Sequence, residues 1–299
     1  MRKLVDTNYL KSEKLREYLA DPANIAVIPD YVMIEALASG DAASICERFK
    51  ILAEYPGQVR VLKSTHAISG LRVKRRSRGL QKRLIERDQT ANFSKFYATL
   101  ELARDGDEPA KRLLAQKSAA AAAEIAQLRK GQETYTANLA EHAKKYTDAE
   151  LAILTKGKPI PQELFSKVTG EIVALADNMF MAHGYFKKQP PTRTLSNAFI
   201  FRYAVAGYVV ALRCIKEGGA QGASAKNIGN QIIDAMIAAY ATYFDGFLSE
   251  DKRAQQIYET TGDLLKFYHH DIKRFEEASA AAKVSADATI SKATALAEA

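Results

Sequence analysis

The chain has 299 residues, of which 47% are hydrophobic and 26% are charged, and its formal net charge is +8. This length allows one large domain or two modest ones, and the ordinary composition is that of a folded globular protein. The basic balance favours a polyanionic partner without proving one. Cys46 and Cys214 are far apart in the sequence, which argues against a disulfide framework or a zinc site.

No segment of the sequence predicts a membrane span or a signal peptide. The longest apolar run, between Arg202 and Arg213, is about half as long as a span requires. The N-terminus begins directly with a strand-like sequence, which is not typical of a secretory signal. Together with the isolated cysteines, these features predict a soluble protein of the reducing cytoplasm, with no membrane partner.

The first part of the chain alternates between strand-like and helix-like patterns. Short, uniformly apolar runs suit strands covered on both faces, and they occur at 2–6, 25–28 and 59–62. Helices are predicted at about 7–20 and 42–54. Between them lies a helix that carries Glu35, with Asp30 as its expected N-cap. This alternation predicts the start of a doubly wound α/β sheet.

From 65 to 224 the strand-like runs stop and helical patterns take over. The helices expected here include a long Ala-rich one within 109–154, one at about 162–186 and a strongly apolar one at 198–216. We interpret 65–224 as a helical insertion that could be a lid, a dimer arm, or a docking surface for a partner or inhibitor. Arg202, on the apolar helix, is expected to form a structural ion pair or to reach an acidic cluster or a substrate.

A basic stretch lies within this region, between Leu71 and Arg87. It contains eight Lys or Arg residues against one acid, Glu86. One interpretation is a solvated helix face. The other is a contact with nucleic-acid phosphates, because charge of one sign is denser than solubility requires. The basic residues are Arg72, Lys74, Arg75, Arg76, Arg78, Lys82, Arg83 and Arg87.

The α/β pattern resumes near residue 225. A helix that carries Asp234 leads to a strand at 244–248, and a further helix is predicted at 252–265. Asp245 is a competing acid in this part, but we expect it to face away from the others.

The predicted organisation has three parts. Residues 1–64 and 225–268 form one discontinuous core, and 65–224 form the insertion between its halves. The Ala-rich tail, 269–299, is expected to be a helix that docks on a neighbour or frays.

Four acids are expected to converge at the carboxyl edge of the sheet, where open parallel sheets place their functional residues. They are Asp6 after the first strand, Glu35 after the second, Asp234 before the last strand and Asp251 after it. Several carboxylates in a small volume repel one another unless Mg²⁺ or Mn²⁺ binds between them, and such ions support phosphodiester hydrolysis. The alternative is structural: Asp6 and Asp251 could cap helices, and Glu35 could be an ordinary surface acid.

The four acids and their neighbours resemble the pattern of the PIN-domain nucleases. The sequence Leu4-Val5-Asp6-Thr7-Asn8 is similar to the first element of that pattern, and Glu35 follows at a suitable distance. Asp234 is similar to the third acid, and Ser249-Glu250-Asp251 matches the closing element. The resemblance covers about 1–64 and 225–268. It leaves the insertion unexplained, since small PIN toxins carry little beyond the minimal domain.

The resemblance implies a three-layer α/β fold with a central, mostly parallel sheet, and a metal-dependent endonuclease. The substrate that the resemblance favours is RNA, as for a toxin-like or defence-type ribonuclease. Asp6, Glu35, Asp234 and Asp251 would be the catalytic ligands of one or two Mg²⁺ or Mn²⁺ ions. Asn8 and Ser249 would make supporting or phosphate contacts. Gln231 stands where some relatives carry another acid, so a second ion would be held weakly.

Two alternatives stay open at this point. The first is a PIN-like DNA nuclease of phage defence or repair, because neither a base-reading motif nor recognition of the 2′-hydroxyl is visible. The second is a catalytically inactive PIN-fold scaffold that acts through its helical insertion. Besides nucleic acid, a protein partner or inhibitor on the insertion and a second copy of the chain are the expected partners.

Overall fold

A four-stranded parallel sheet lies at the centre of the protein. The computed structural model describes residues 1–71, 79–130, 144–155, 160–186, 188–216 and 225–270. The strands are β1 (Arg2–Val5), β2 (Ile25–Ile28), β3 (Val59–Val61) and β4 (Gly246–Leu248). Their order is β3-β2-β1-β4, and each pairing between neighbours is parallel. The predicted α/β class with a central parallel sheet is therefore confirmed.

Helices make up most of the remaining described chain. In chain order they are α1 (Glu13–Leu19), α2 (Asp30–Leu37), α3 (Ala42–Glu54), α4 (Thr65–Ser69), α5 (Leu80–Leu84), α6 (Arg87–Ala91), α7 (Phe93–Arg104), α8 (Glu108–Lys130), α9 (Asp148–Thr155), α10 (Gln162–Ala182), α11 (Thr192–Leu195), α12 (Phe199–Lys216), α13 (Ala225–Ala241) and α14 (Lys252–His270). Within the described ranges, no helix combines the length and the apolar character that a membrane span needs.

Helices cover both faces of the sheet, and the side chains of each strand alternate between these faces. Leu4 and Val27 point to one face, where they pack with residues of α4, α5, α12, α13 and α14. Val5 and Ile28 point to the other face and pack with residues of α1, α2, α3, α7 and α8. The described chain thus has three layers, with helices on both sides of the sheet.

A third hydrophobic cluster lies among helices alone. It joins Ile172 of α10, Phe201 and Tyr208 of α12, and Leu265 of α14. Helix α12 is shared, since its Phe199 belongs to the cluster against the sheet. Helices from the predicted insertion therefore contribute to both faces of the sheet as well as to the third cluster. The domain boundaries stay a prediction.

Two predictions about helix starts were wrong. The helix expected at 7–20 is divided into a 3₁₀ turn at Thr7–Tyr9 and α1, because Ser12 has an extended backbone with φ −75° and ψ 130°. Helix α2 begins at Asp30 itself, and Pro29 occupies the N-cap position. The Asp30 carboxylate instead accepts hydrogen bonds from the backbone N–H groups of Tyr31, at 2.8 Å, and Thr65, at 2.6 Å.

One later element is shorter than the sequence suggests, and one extends to the limit of a described range. The Ala-rich helix α8 is described as far as Lys130, and 131–143, which follow it, lie outside the described residues. Strand β4 begins at Gly246 rather than at 244, because Phe244 still belongs to the turn that closes α13 and donates its N–H to Ala241, at 3.0 Å. Of the predicted tail, only 269 and 270 are described, as the end of α14, and 271–299 lie outside the described residues.

Candidate functional site: an acidic cleft at the carboxyl edge of the sheet

An open cleft of about 450 Å³ lies at the carboxyl edge of the sheet. Strand β1 has β2 on one side and β4 on the other, so the chain leaves the ends of β1 and β4 in different directions. Such a switch point leaves a crevice where ligands bind in α/β proteins. All four predicted acids, Asp6, Glu35, Asp234 and Asp251, line this cleft. We refer to it as the acidic cleft.

Asp6 is fixed more firmly than the other acids. Its backbone N–H donates to the Leu248 carbonyl at 2.9 Å, so the pairing of β1 with β4 determines its position. One carboxylate oxygen accepts from the Thr7 N–H at 2.8 Å and the other from the Ser249 hydroxyl at 2.7 Å. Burial raises the pKa of Asp6, the hydrogen bonds from Ser249 and Thr7 oppose that rise, and the charges of Glu35 and Asp251 add to it.

The residue after Asp6 connects it to Glu35. The Thr7 hydroxyl donates to Oε2 of Glu35 at 2.6 Å. Glu35 is exposed on α2, and a long exposed side chain has many rotamers unless something holds it. The threonine of the first motif therefore orients an acid that lies on a different element.

Ser249 and Asn8 link the ends of β1 and β4. The Ser249 oxygen accepts from the Asn8 side-chain amide at 3.2 Å and from the Asp251 N–H at 3.1 Å. Asn8 in turn accepts from the Glu250 N–H at 3.0 Å. These bonds place both side chains next to Asp6 and Asp251.

Asp251 caps a helix and also lines the acidic cleft. Its Oδ1 accepts from the Arg253 N–H at 2.7 Å, which caps α14. A carboxylate has two oxygens with several acceptor positions, so a cap does not prevent it from contacting a ligand.

Of the acids in the cleft, Asp234 has the most strongly raised pKa. It is half-buried on α13, and its pKa is raised to about 7, first by burial and then by the charges of Asp6 and Asp251. Arg253 offsets part of this effect and Glu35 adds to it. Among the described residues, no hydrogen-bond donor contacts its carboxylate. Asp234 is therefore the acid with the most to gain from a cation.

The acids line one cleft but are not closed around one point. Among the described residues, no three Asp, Glu, His or Cys side chains form a ready-made ligand set for a metal ion. The chemistry of the lining nevertheless suits a hard divalent cation, since the cleft offers carboxylate, hydroxyl and amide oxygens and its described lining includes no His or Cys.

Sequence analysis missed several residues of the cleft. Lys11, Tyr31, Arg48, Asn230 and Ile233 also line it. Asn230 lies four residues before Asp234, so helical spacing could have indicated it. Lys11 and Arg48 reach the cleft only through the way the turn after β1 and helix α3 pack, and nothing in the sequence signals that.

The described residues of the basic stretch do not line the cleft. Lys82, Arg83 and Arg87 are described, and none of them lines it. Gln81, beside them on α5, contacts the Arg2 side chain at 2.7 Å and the Tyr243 carbonyl at 2.7 Å, near the amino ends of β1 and β4. The remaining residues, Arg72, Lys74, Arg75, Arg76 and Arg78, lie outside the described residues, so the nucleic-acid role of the stretch stays a prediction.

Three further residues lie away from the cleft. Asp245 is exposed and accepts from the Arg2 N–H at 2.7 Å at the amino edge of the sheet, as expected. Gln231 is buried and accepts a hydrogen bond from the Cys214 thiol, so it is not a member of the acidic set. Among the described residues, Arg202 has no carboxylate partner: it donates to the Ser196 and Thr242 carbonyls, at 2.7 and 2.6 Å, and stacks on the Tyr243 ring. It does not line the acidic cleft.

A larger cavity of about 610 Å³ lies on the other side of α2. Its lining is mainly apolar, with Ile34 and Leu37 of α2 facing Phe96 of α7 and Leu114 of α8. Its half-buried acid, Asp30, is already engaged by Thr65 and Tyr31. Size alone would favour this cavity as the functional site. Converging acids with perturbed pKa values favour the acidic cleft instead.

No protein-family model, curated protein or solved structure matches the chain. Any function assigned to the acidic cleft is therefore argued from its geometry and chemistry.

Proposed function

We propose that the chain is a PIN-like endonuclease that depends on Mg²⁺ or Mn²⁺, with the acidic cleft as its active site. One observation carries the proposal. The four acids line one cleft, Asp6 and Glu35 from the start of the chain and Asp234 and Asp251 from its later part. Burial, and after it the charges of the neighbouring acids, raises the pKa values of Asp6 and Asp234. Perturbed carboxylates gathered in a cleft are typical of functional sites, and a divalent cation relieves their repulsion.

The four acids would hold the ion. A bound Mg²⁺ or Mn²⁺ would supply Lewis-acid polarisation of the phosphoryl group and lower the pKa of water. Asp6 is already oriented by Ser249 and Thr7, and Glu35 by the Thr7 hydroxyl. Asp234 accepts no hydrogen bond from the described residues, so it is the acid that can turn towards an ion at least cost. The side chains of the cleft would therefore bind the ion, fix its position and hold the substrate strand beside it.

RNA is the proposed substrate, by resemblance to the PIN ribonucleases, which also suggests a cytoplasmic toxin-like or defence-type role. DNA is the alternative nucleic acid. Among the described residues, the lack of a ready-made ligand set favours a second candidate, the inactive scaffold. Carboxylate-dependent binding of Mn²⁺ distinguishes the active enzyme from the scaffold.

The substitution Asp234→Asn tests the proposal. It keeps the size of the side chain but removes the carboxylate most perturbed by its neighbours. We expect cleavage of labelled single-stranded RNA with Mn²⁺ to fall by about 100-fold or more, because the ion loses a ligand. Mn²⁺ affinity, measured by calorimetric titration, should fall in parallel.

The matched control is Asp245→Asn, which changes the same functional group at the opposite edge of the sheet. It should leave cleavage and Mn²⁺ affinity unchanged. If the protein cleaved DNA but not RNA, DNA would be the substrate. Wild-type protein that neither binds Mn²⁺ nor cleaves either nucleic acid would refute the nuclease and support the scaffold.

A further inference from the structure

We infer that Lys11 and Arg48 hold the backbone phosphates of a single nucleic-acid strand in the acidic cleft. This assigns substrate binding to residues outside the basic stretch, and it rests on the proposed nuclease function. Lys11 lies in the turn between β1 and α1, five residues after Asp6, and Arg48 lies on α3. Both side chains line the acidic cleft together with the four acids.

Neither cation is engaged elsewhere in the described chain. Within the described residues, no carboxylate lies within ion-pair distance of Lys11 or Arg48, and neither side chain donates a hydrogen bond. Arg16 behaves differently, although it belongs to the same layer of helices. It pairs with Glu54 of α3 at 2.8 Å and also with Glu13. Acids are thus available to cations on α1, whereas Lys11 and Arg48 keep their hydrogen-bond donors for another partner.

The charge of the cleft explains why such donors would be needed. Four carboxylates against two cations give the described lining a net charge of −2 when every acid is ionised. A polyanionic strand would be repelled by these carboxylates and would need cations beside them to approach. Arg is suited to bidentate contact with a phosphate, and Lys to contact as a point charge. Two cations from different elements can hold two phosphates of one strand.

The test uses Lys11→Ala, Arg48→Ala and the double variant in the full-length protein. Binding of a short fluorescent oligouridylate is measured by anisotropy in Ca²⁺, over a range of salt concentrations. We expect the double variant to bind about tenfold more weakly, and the salt slope of log Kd to fall by about 1.4, since each lost phosphate contact contributes about 0.7 for a single strand. The control is Lys50→Ala, which removes an exposed cation from the same helix.

Kinetics separate a substrate-holding role from a structural one. In the single variants, KM for the oligonucleotide should rise while kcat stays near the wild-type value. Bis(4-nitrophenyl) phosphate has no neighbouring phosphates, so its hydrolysis should change much less than that of the oligonucleotide. If the two cations merely offset the repulsion between the acids, their removal would strengthen Mn²⁺ binding and leave oligonucleotide affinity unchanged, which would overturn the inference.

The two proposals can fail separately. If no cleavage occurs but the double variant binds the oligonucleotide less well than Lys50→Ala does, the phosphate contacts stand and the nuclease falls. If the wild type cleaves RNA and the double variant matches it in affinity, KM and salt slope, the nuclease stands and the role of Lys11 and Arg48 is refuted.

Discussion

At the scale of single residues, Asp234 shows how the ionised acids of the cleft destabilise the folded protein. Its pKa is raised to about 7 by burial and by Asp6 and Asp251. An acid with a raised pKa is bound more tightly to its proton in the folded state than in the unfolded chain. Its contribution to stability is therefore fully present below the ordinary value of 3.8 and is lost as the pH rises through about 7. Under alkaline conditions the free cleft is destabilised by its own ionised acids.

This charge predicts that Asp234→Asn stabilises the metal-free protein in a pH-dependent way. At about pH 8.5 we expect the free energy of unfolding to increase on the order of 2 kcal/mol, because a neutral amide replaces the repelled carboxylate. At about pH 5 the gain should be clearly smaller, since Asp234 is then protonated in the folded wild type and only part of the pH-dependent loss of stability has occurred. Urea denaturation with EDTA at both pH values measures the difference. Asp245→Asn should show no such pH dependence, and an equal effect of Asp234→Asn at both pH values would contradict the assignment.

At the scale of elements, the sequence predicted what local patterns determine. Helix α3 and strand β2 have the predicted bounds, because their apolar residues have a clear period and their ends have clear signals, such as the Asp41 cap of α3. The break in the helix expected at 7–20 has a weaker signal, since Ser12 is acceptable inside a helix as well as at the N-cap of α1, where it stands. Its hydroxyl donates to Glu250, from the other half of the chain, at 2.9 Å. The role of Asp30 was missed for the same reason: its partner, Thr65, lies on another helix.

A polar network around Thr65 connects three helices. The Tyr240 hydroxyl of α13 donates to the Thr65 hydroxyl at 2.9 Å, and the Thr65 hydroxyl and N–H of α4 donate to Asp30 of α2, at 3.0 and 2.6 Å. Tyr240 is fully buried. Removing the partner of a buried polar group lowers the stability of the fold more than removing an exposed hydrogen bond does, because the desolvation of the buried group is then no longer compensated.

The network predicts that Thr65→Val destabilises the protein by about 2 kcal/mol, because Tyr240 loses its acceptor and Asp30 a donor while the side-chain shape is kept. Thr65→Ser retains the hydroxyl and should cost less than about 1 kcal/mol. Equilibrium urea unfolding of the two variants and the wild type measures these values. A valine variant as stable as the serine variant would show that the hydroxyl does not connect the helices.

At the scale of the whole molecule, both ends of the described chain build one edge. The β1–β4 pairing places Asp6 next to Ser249, and α13 brings Asp234 to the same cleft. The order of the acidic motifs predicted this convergence. It did not predict how α7, α8 and α12 would divide between the faces of the sheet, because an amphipathic pattern shows which side of a helix is buried but not against which surface. The positions of Lys11 and Arg48 depend likewise on how the turn after β1 and helix α3 pack, which is why these two residues were missed.

A cation in the acidic cleft would connect these two parts of the chain and should stabilise the whole fold. Such an ion binds the folded state, and at about 100 times its Kd it would add about 2.7 kcal/mol. We expect Mn²⁺ to raise the midpoint of thermal unfolding more at about pH 8 than at about pH 6, because Asp234 must lose its proton to bind. EDTA should reverse the shift, and Asp234→Asn should abolish most of it. KCl at equal ionic strength controls for screening of the net charge of +8. An equal Mn²⁺ shift in wild type and Asp234→Asn would place the ion elsewhere and remove the main support for a metal in this cleft.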